Sequence, residues 1–161
     1  MIKTPKKSSR KVLEFETIAR DARLMNKLLR DYKDPKGKGS ENHYAIHHSQ
    51  FSNDPYNFFV VNPSVMGLGP TSIVVVVNPK ILEKDRSTKK TVRESCMSFP
   101  FRPSQKVVRY DTIKVSYDVP IEDGKKMKHK EEEMSGFMAQ IFQHEVEHAR
   151  GAHIYQLKKI A

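Results

Sequence analysis

Two histidines, His144 and His148, stand four residues apart within an amphipathic stretch over residues 131–150. On a helix this spacing puts both imidazoles one turn apart on a single face. They extend the apolar stripe of Met134, Phe137, Met138, Ile141 and Phe142, so they face the interior. A helix with an inward imidazole pair must be enclosed by other elements. Burying two imidazoles and the adjacent Glu145 carboxylate without partners would cost several kcal/mol. The pattern therefore predicts a helix over 131–150, opened by Glu131–Glu133 at the positive end of its dipole and closed at Gly151.

The same residues can serve a metal ion, with Glu145 placed to take a proton from a water held beside it. Sites of this kind use three protein ligands and keep one position open. The third ligand can be His, Glu, Asp or Cys, and Cys96 is the only cysteine in the chain. A thiolate with two neutral imidazoles suits Fe(II), Zn, Ni or Co. The competing role for an isolated cysteine is that of a small buried hydrophobe. One cysteine cannot make an internal disulfide, which fits a reducing compartment and an expected cytoplasmic location.

The remaining chain reads as helix, strands, helix, an α+β order. Residues 1–12 are polar and basic and are expected to form a flexible arm ahead of one domain over 13–161. Leu13, Ile18, Ala22, Met25, Leu28 and Leu29 keep helical spacing over 13–31, and Asp34-Pro35 ends that run ahead of a polar loop over 34–43. Tyr44–Gln50 fits a strand or an ordered loop. Phe58–Val61 and Ile73–Val77 are β-rich runs, each stopped by Asn-Pro, with a turn-rich link over 63–70 between them. Arg86–Lys90 reads as a charged hairpin or loop, Val107-Val108 and Ile113–Val119 as strands, and Glu122–Lys125 as a turn.

Glu94-Ser95-Cys96-Met97-Ser98 resembles the E-G-C-L-S motif of peptide deformylases, and Gln143-His144-Glu145-Val146-Glu147-His148 resembles their Q-H-E-x-D-H motif. Order and separation agree over roughly residues 13–155. Ser95 stands where the family has glycine, and Glu147 where it has aspartate. The resemblance implies an N-terminal helix and mixed or antiparallel β-sheets wrapped around the central histidine helix. It further implies that Cys96, His144 and His148 are the metal ligands and Glu145 the general base, and that the substrate is a polypeptide with N-terminal formylmethionine, cleaved to formate and a free amine. Fe(II) is the expected native metal, with Zn, Ni or Co able to substitute.

The family's G-x-G-x-A-A-x-Q motif is degenerate here. Gly67-Leu68-Gly69 keeps the glycines but puts Val74 at the glutamine. Ala45–Gln50 keeps the glutamine but has His43 and Ala45 at the glycines and His47-His48 at the alanines. The chemistry needs a donor, so Gln50 is chosen, with the Met97 backbone N–H as second donor to the oxyanion. His47 and His48 would then line the cleft. Met97, Phe137 and Ile141 are candidates for the pocket that takes the methionine side chain, although plain core is the competing role for each. Glu94 is expected to pair with Arg109 and brace the cysteine loop at the substrate side; a surface ion pair would contribute only ~0–1 kcal/mol.

Lys+Arg 29 against Asp+Glu 19 gives a net charge of +10, in clusters spread along the chain. Such charge favours polyanions, and a ribosome surface is a candidate partner. No zinc-finger or aromatic RNA-binding signature accompanies it, so a DNA partner is not expected. The longest aliphatic run is Ile73–Val77, too short for a membrane span, and the basic N-terminus has no apolar segment of a secretory signal behind it. The chain ends at Ala161, thirteen residues past His148, which resembles the short form of the family without a C-terminal helix. The same shortness argues against a zincin-type endopeptidase, which brings its third ligand from a downstream helix. An inactive deformylase-like peptide-binding module and a basic RNA-binding protein compete with the enzyme, the first because the glutamine motif is eroded and the second because of the charge.

Overall fold

The structure, a computed structural model, describes residues 2–32, 44–69 and 71–157; the loop expected over 34–43 lies outside them. Helix α1 (Ala19–Asp31) precedes strands β1 (Ala45–His47), β2 (Phe58–Val61), β3 (Val74–Lys84), β4 (Lys89–Glu94), β5 (Gln105–Tyr110), β6 (Thr112–Ile121) and β7 (Lys126–Ser135), and helix α2 (Gly136–Ala149) follows. Strands β1-β2-β3-β6-β7 form an antiparallel sheet in that order, and β4 and β5 form a second, two-stranded one. This is the α+β arrangement expected, with antiparallel sheets set around the histidine helix. Among the described residues no helix is long and apolar enough to cross a membrane.

Strands β2 and β3 explain where the core sits. Their side chains alternate between the two faces of the sheet. Phe58, Val60, Val75 and Val77 pack with Ile18, Ala22, Met25 and Leu29 on the α1 side. Phe59, Val61 and Val76 pack with Ala139, Ile141 and Phe142 on the α2 side. A strand covered on both faces needs an unbroken apolar run, which is what Phe-Phe-Val-Val and Val-Val-Val-Val supply.

Four local expectations are corrected. Residues 131–135 are the end of β7 and not the first turn of the helix, which begins at Gly136. Glu131–Glu133 and Met134 pair with β6, and the Tyr117 hydroxyl donates to Glu132 at 2.9 Å. Gly136, with φ +68°, turns the chain from strand into helix. Helix α1 starts six residues later than expected, at Ala19, behind a short 3-10 turn at Phe15–Thr17, which leaves Leu13 exposed. Strand β3 passes through Asn78-Pro79 to Lys84. Asn78 adopts φ +51° at a register shift, and its amide brackets Val12, accepting from the backbone N–H and donating to the carbonyl, both at 2.8 Å. A bulge there removes the need for a ladder N–H from Pro79. The charged stretch over 86–90 is a 3-10 turn that leads into strand β4, an element its charged residues did not predict.

The N-terminal segment is not a loose arm. Lys3 N–H donates to Gln50 O at 2.7 Å, Ser9 N–H to Ala149 O at 2.8 Å and Arg10 N–H to Pro55 O at 2.8 Å. Val12 is buried in the core beside α1. Gly151, at φ +77°, lets this segment approach: a Cβ there would lie 2.6 Å from the Lys7 backbone nitrogen.

Candidate metal centre

Helix α2 enters the core behind the sheet and presents His144 and His148 from its last two turns. Their rings lie 4.6 Å apart, nearly perpendicular. Cys96 follows the end of β4 in a tight loop, where Phe99 N–H bonds back to Cys96 O. One donor atom from each of Cys96, His144 and His148 lies within 4.8 Å of the others, and they form the one such group of three among the described residues. Cys96 Sγ is 3.5 Å from His148 Nε2. Donors around a single tetrahedral ion stand roughly 3.5 Å apart.

Each imidazole is held by its far nitrogen. His148 Nδ1 donates to Ala152 O at 2.9 Å, which leaves the Nε2 lone pair toward the sulfur. His144 Nδ1 lies 2.9 Å from Glu94 Oε1, so its other nitrogen is directed to the same point. Glu145 is buried next to them, and its Oε2 has no hydrogen-bond partner. Burial pushes the Glu145 carboxyl up to about 7. Three converging donors, two fixed tautomers and an orphaned carboxylate oxygen fit a divalent cation with a water beside it.

Gln50 sits on the other side of the sulfur, fully buried in a 3-10 turn at His48–Gln50. Its Oε1 accepts from His47 N–H at 2.9 Å; its Nε2 donates to Ser98 Oγ at 3.0 Å and faces Cys96 Sγ at 3.8 Å. The competing Val74 instead pairs with Val61 in the sheet. His47 and His48 are buried and do not line the cleft. His47 bonds Ser49 and Asn57; His48 lies 2.8 Å from Asp21 and accepts from Tyr56 N–H at 2.8 Å.

A cleft of about 550 Å³ opens over this cluster, with Gln50, Glu94, Met97, Ile141, His144 and Glu145 among its walls. Met97 also packs in the α1-side core. Phe137 is not on the cleft wall: it is half exposed and meets the Tyr44 ring edge-on at 4.5 Å. Tyr44 and Gln140 line the cleft instead. Gln140 shares a helix face with Ile141, His144 and Glu145, a spacing that could have found it; Tyr44 directly precedes β1 and carries no sequence signal of its own.

Arg109 does not line this cleft either. It lies behind it, almost fully buried, in a two-pronged bond to Glu94 (2.8 Å each) and a further one to Glu147 Oε1 at 2.6 Å. The ion pair is therefore interior and not a surface pair. Burial raises the Glu94 carboxyl, but His144 and Arg109 outweigh it and hold the group at about 2. One guanidinium thus fixes two carboxylates, and one of these aims His144.

A thiol carried by a loop after one sheet, brought to a His-x-x-x-His helix beneath another, defines an α+β protein with a candidate Cys-His-His metal site. Residues 41–160 match the family model described as polypeptide deformylase, and the chain belongs to that family. A peptide deformylase of Thermotoga maritima is 38% identical over 94 residues, covering 58% of this chain and 49% of that protein. One from Clostridium beijerinckii is 39% identical over 80 residues, 49% of this chain and 52% of that protein. The match thus spans about half the length of the curated relatives. The crystal structure of the Thermotoga maritima peptide deformylase superposes with a TM-score of 0.75 at 26% identity, over 100% of this chain and 97% of that one. A probable peptide deformylase from Synechococcus phage S-SSM7 shares the fold with a TM-score of 0.73 at 24% identity, over 96% and 97%.

Proposed function

We propose that this chain hydrolyses the N-formyl group from the formylmethionine that begins nascent polypeptides, releasing formate. The observation that carries the reading is the convergence of Cys96 Sγ and the two imidazoles beside the Gln50 amide and the Glu145 carboxyl. Residues 13–161 act as one catalytic domain, to which the segment over residues 2–12 is docked.

Cys96, His144 and His148 would hold one divalent ion, which when bound supplies Lewis acidity and lowers the pKa of a nearby water. Fe(II) is the proposed native metal, with Zn, Ni or Co able to replace it. Glu145 takes the proton of the attacking water as oxygen adds to the formyl carbon. It then delivers that proton to the methionine nitrogen as the C–N bond breaks. A carboxyl near 7 can act in both directions at neutral pH. Gln50 Nε2, its amide orientation fixed by His47 N–H, donates to the developing oxyanion, joined by Met97 N–H. Glu94 and Arg109 keep His144 aimed and act behind the cleft, while Ile141 meets the methionine side chain. The protein works in a reducing cytoplasm, and its basic surface meets the ribosome.

The test is incubation of nickel- or cobalt-loaded protein with formyl-Met-Ala-Ser, following free amine. Turnover that is lost in Glu145→Ala and Gln50→Ala, and lost with the metal in Cys96→Ser, is the expected result. Cleavage of internal peptide bonds would replace the reading with an endopeptidase, and peptide binding without turnover with a binding module.

A further inference from the structure

The side-chain amide of Gln50 is held at both ends, and its support runs out to the N-terminal segment. Oε1 accepts from His47 N–H at 2.9 Å, and Nε2 donates to Ser98 Oγ at 3.0 Å. Ser98 Oγ in turn donates to the Lys3 carbonyl at 2.5 Å, and Lys3 N–H donates to the Gln50 carbonyl at 2.7 Å. Three hydrogen bonds thus close a ring through Gln50, Ser98 and the Lys3 backbone, and the Lys3 side chain takes no part in it.

The directions of these bonds are forced. A hydroxyl carries one hydrogen, a carbonyl only accepts and an amide nitrogen only donates. The Lys3 carbonyl therefore takes the Ser98 hydrogen, and the lone pairs of Oγ are left to Gln50 Nε2. Exchanging the amide oxygen and nitrogen would set Nε2 hydrogens against His47 N–H, so the network admits one orientation. One Nε2 hydrogen is left over. Nε2 lies 3.8 Å from Cys96 Sγ, which puts that hydrogen on the side where the three metal donors converge. Lys3 is itself anchored from both sides: Ile2 packs on the α1-side core, Pro5 is buried, and Ser9 reaches Ala149 O through its N–H and its hydroxyl, at 2.8 and 2.9 Å.

We propose that Ser98 and the Lys3 backbone are positioning residues for the Gln50 amide, so that the docked N-terminal segment sets the aim of the oxyanion donor. The inference rests on the deformylase reading and extends that site to residues far from the chemistry. The last torsion of a glutamine is broad, so an amide held at one end swings. A donor that swings must be ordered anew in each transition state, which lowers kcat more than it weakens substrate binding.

The test uses nickel-loaded protein with formyl-Met-Ala-Ser. Ser98→Ala should lower kcat by roughly tenfold while KM stays within about twofold and the nickel content is kept. Ser98→Thr, which retains the hydroxyl, should restore most of the rate. Lys3→Pro removes the N–H that docks on Gln50 and should also lower kcat at constant KM. Because Lys3 acts through Ser98, the double variant should be no slower than Ser98→Ala alone. A role confined to stability would make the two losses multiply. The Gln50 amide protons, followed by heteronuclear NMR, give a readout apart from turnover: one is expected to resist exchange with water in the wild type and in Ser98→Thr, and to exchange freely in Ser98→Ala. Full kcat or loss of nickel in Ser98→Ala, multiplying losses in the double variant, or the same exchange in the wild type and Ser98→Ala would each overturn the proposal. Failure of the wild type to release amine from the formyl peptide would overturn the deformylase reading instead, and the exchange of the amide protons would then decide the positioning by itself.

Discussion

Glu94 Oε1 lies 2.9 Å from His144 Nδ1, and the same carboxylate takes both prongs of Arg109. The direction in which His144 offers its free nitrogen is therefore set fifty residues away, by a side chain two places before Cys96. Glu94→Ala would leave a buried guanidinium short of a partner and His144 unaimed. Removing one partner of a buried pair costs about 3–5 kcal/mol. We expect a large drop in the urea midpoint and a loss of bound metal by elemental analysis, with Glu94→Gln intermediate. Wild-type metal content in Glu94→Ala would contradict the coupling.

On the proposed mechanism, Glu145 separates chemistry from metal binding. Its Oε2 is buried without a partner, and it is not one of the three converging donors. Glu145→Gln should keep the metal and the melting temperature while lowering kcat by roughly 10²–10⁴. Loss of metal in this variant would make Glu145 a ligand.

Acid should loosen the fold before the carboxylates titrate. Burial holds the His47 imidazole down to about 3, and it lowers His48 as well. Both groups are ordinary histidines, near 6.5, once the chain unfolds. The unfolded state therefore binds more protons below that value, and stability present above pH 6.5 falls as pH drops toward 3. For His47 the loss between pH 8 and pH 5 is about 2 kcal/mol. Urea midpoints from pH 8 to 5 should decline in the wild type and decline less in His47→Gln. Parallel slopes would show that His47 does not carry the effect.

The thiol ligand predicts oxygen sensitivity. Cys96 would hold iron in an accessible cleft, where thiolate and Fe(II) are open to oxidation. Iron-loaded protein should lose turnover in air while nickel- and zinc-loaded samples keep theirs. Equal lifetimes would exclude iron as the native metal.

Gly151→Ala tests the docked N-terminal segment. The substitution adds a Cβ 2.6 Å from the Lys7 backbone at a residue with φ +77°. Both terms oppose it, and a loss of about 1–3 kcal/mol is expected. A stability equal to wild type would mean that the segment is free to move aside.

The sequence made the scarce chemistry visible and left the connections hidden. His144 and His148 could be named from their spacing, while Cys96 was one of several possible third ligands until the resemblance of its motif singled it out. The β7–α2 boundary could not be placed, because Glu131–Glu133 are good helix formers and the strand they extend is charged on both faces. The sheet outweighed propensity there, through ten register pairs between β6 and β7. Strand β4, Lys-Lys-Thr-Val-Arg-Glu, was hidden by its charges in the same way. The bond from Arg109 to Glu147 left no trace in sequence, because it joins a strand to a helix 38 residues on. The N-terminal segment is pinned largely through backbone bonds, which no pattern of side chains announces.

That pinning sets an order of assembly. Lys3 N–H reaches the Gln50 carbonyl, Lys3 O takes the Ser98 hydroxyl, and Ser9 Oγ reaches Ala149 across 140 residues of chain. The segment over residues 3–10 thus waits for residue 149 before its contacts can close. These are the contacts of greatest sequence separation, which are slow to form. Residues 3–10 therefore dock late, once residue 149 has emerged to receive them.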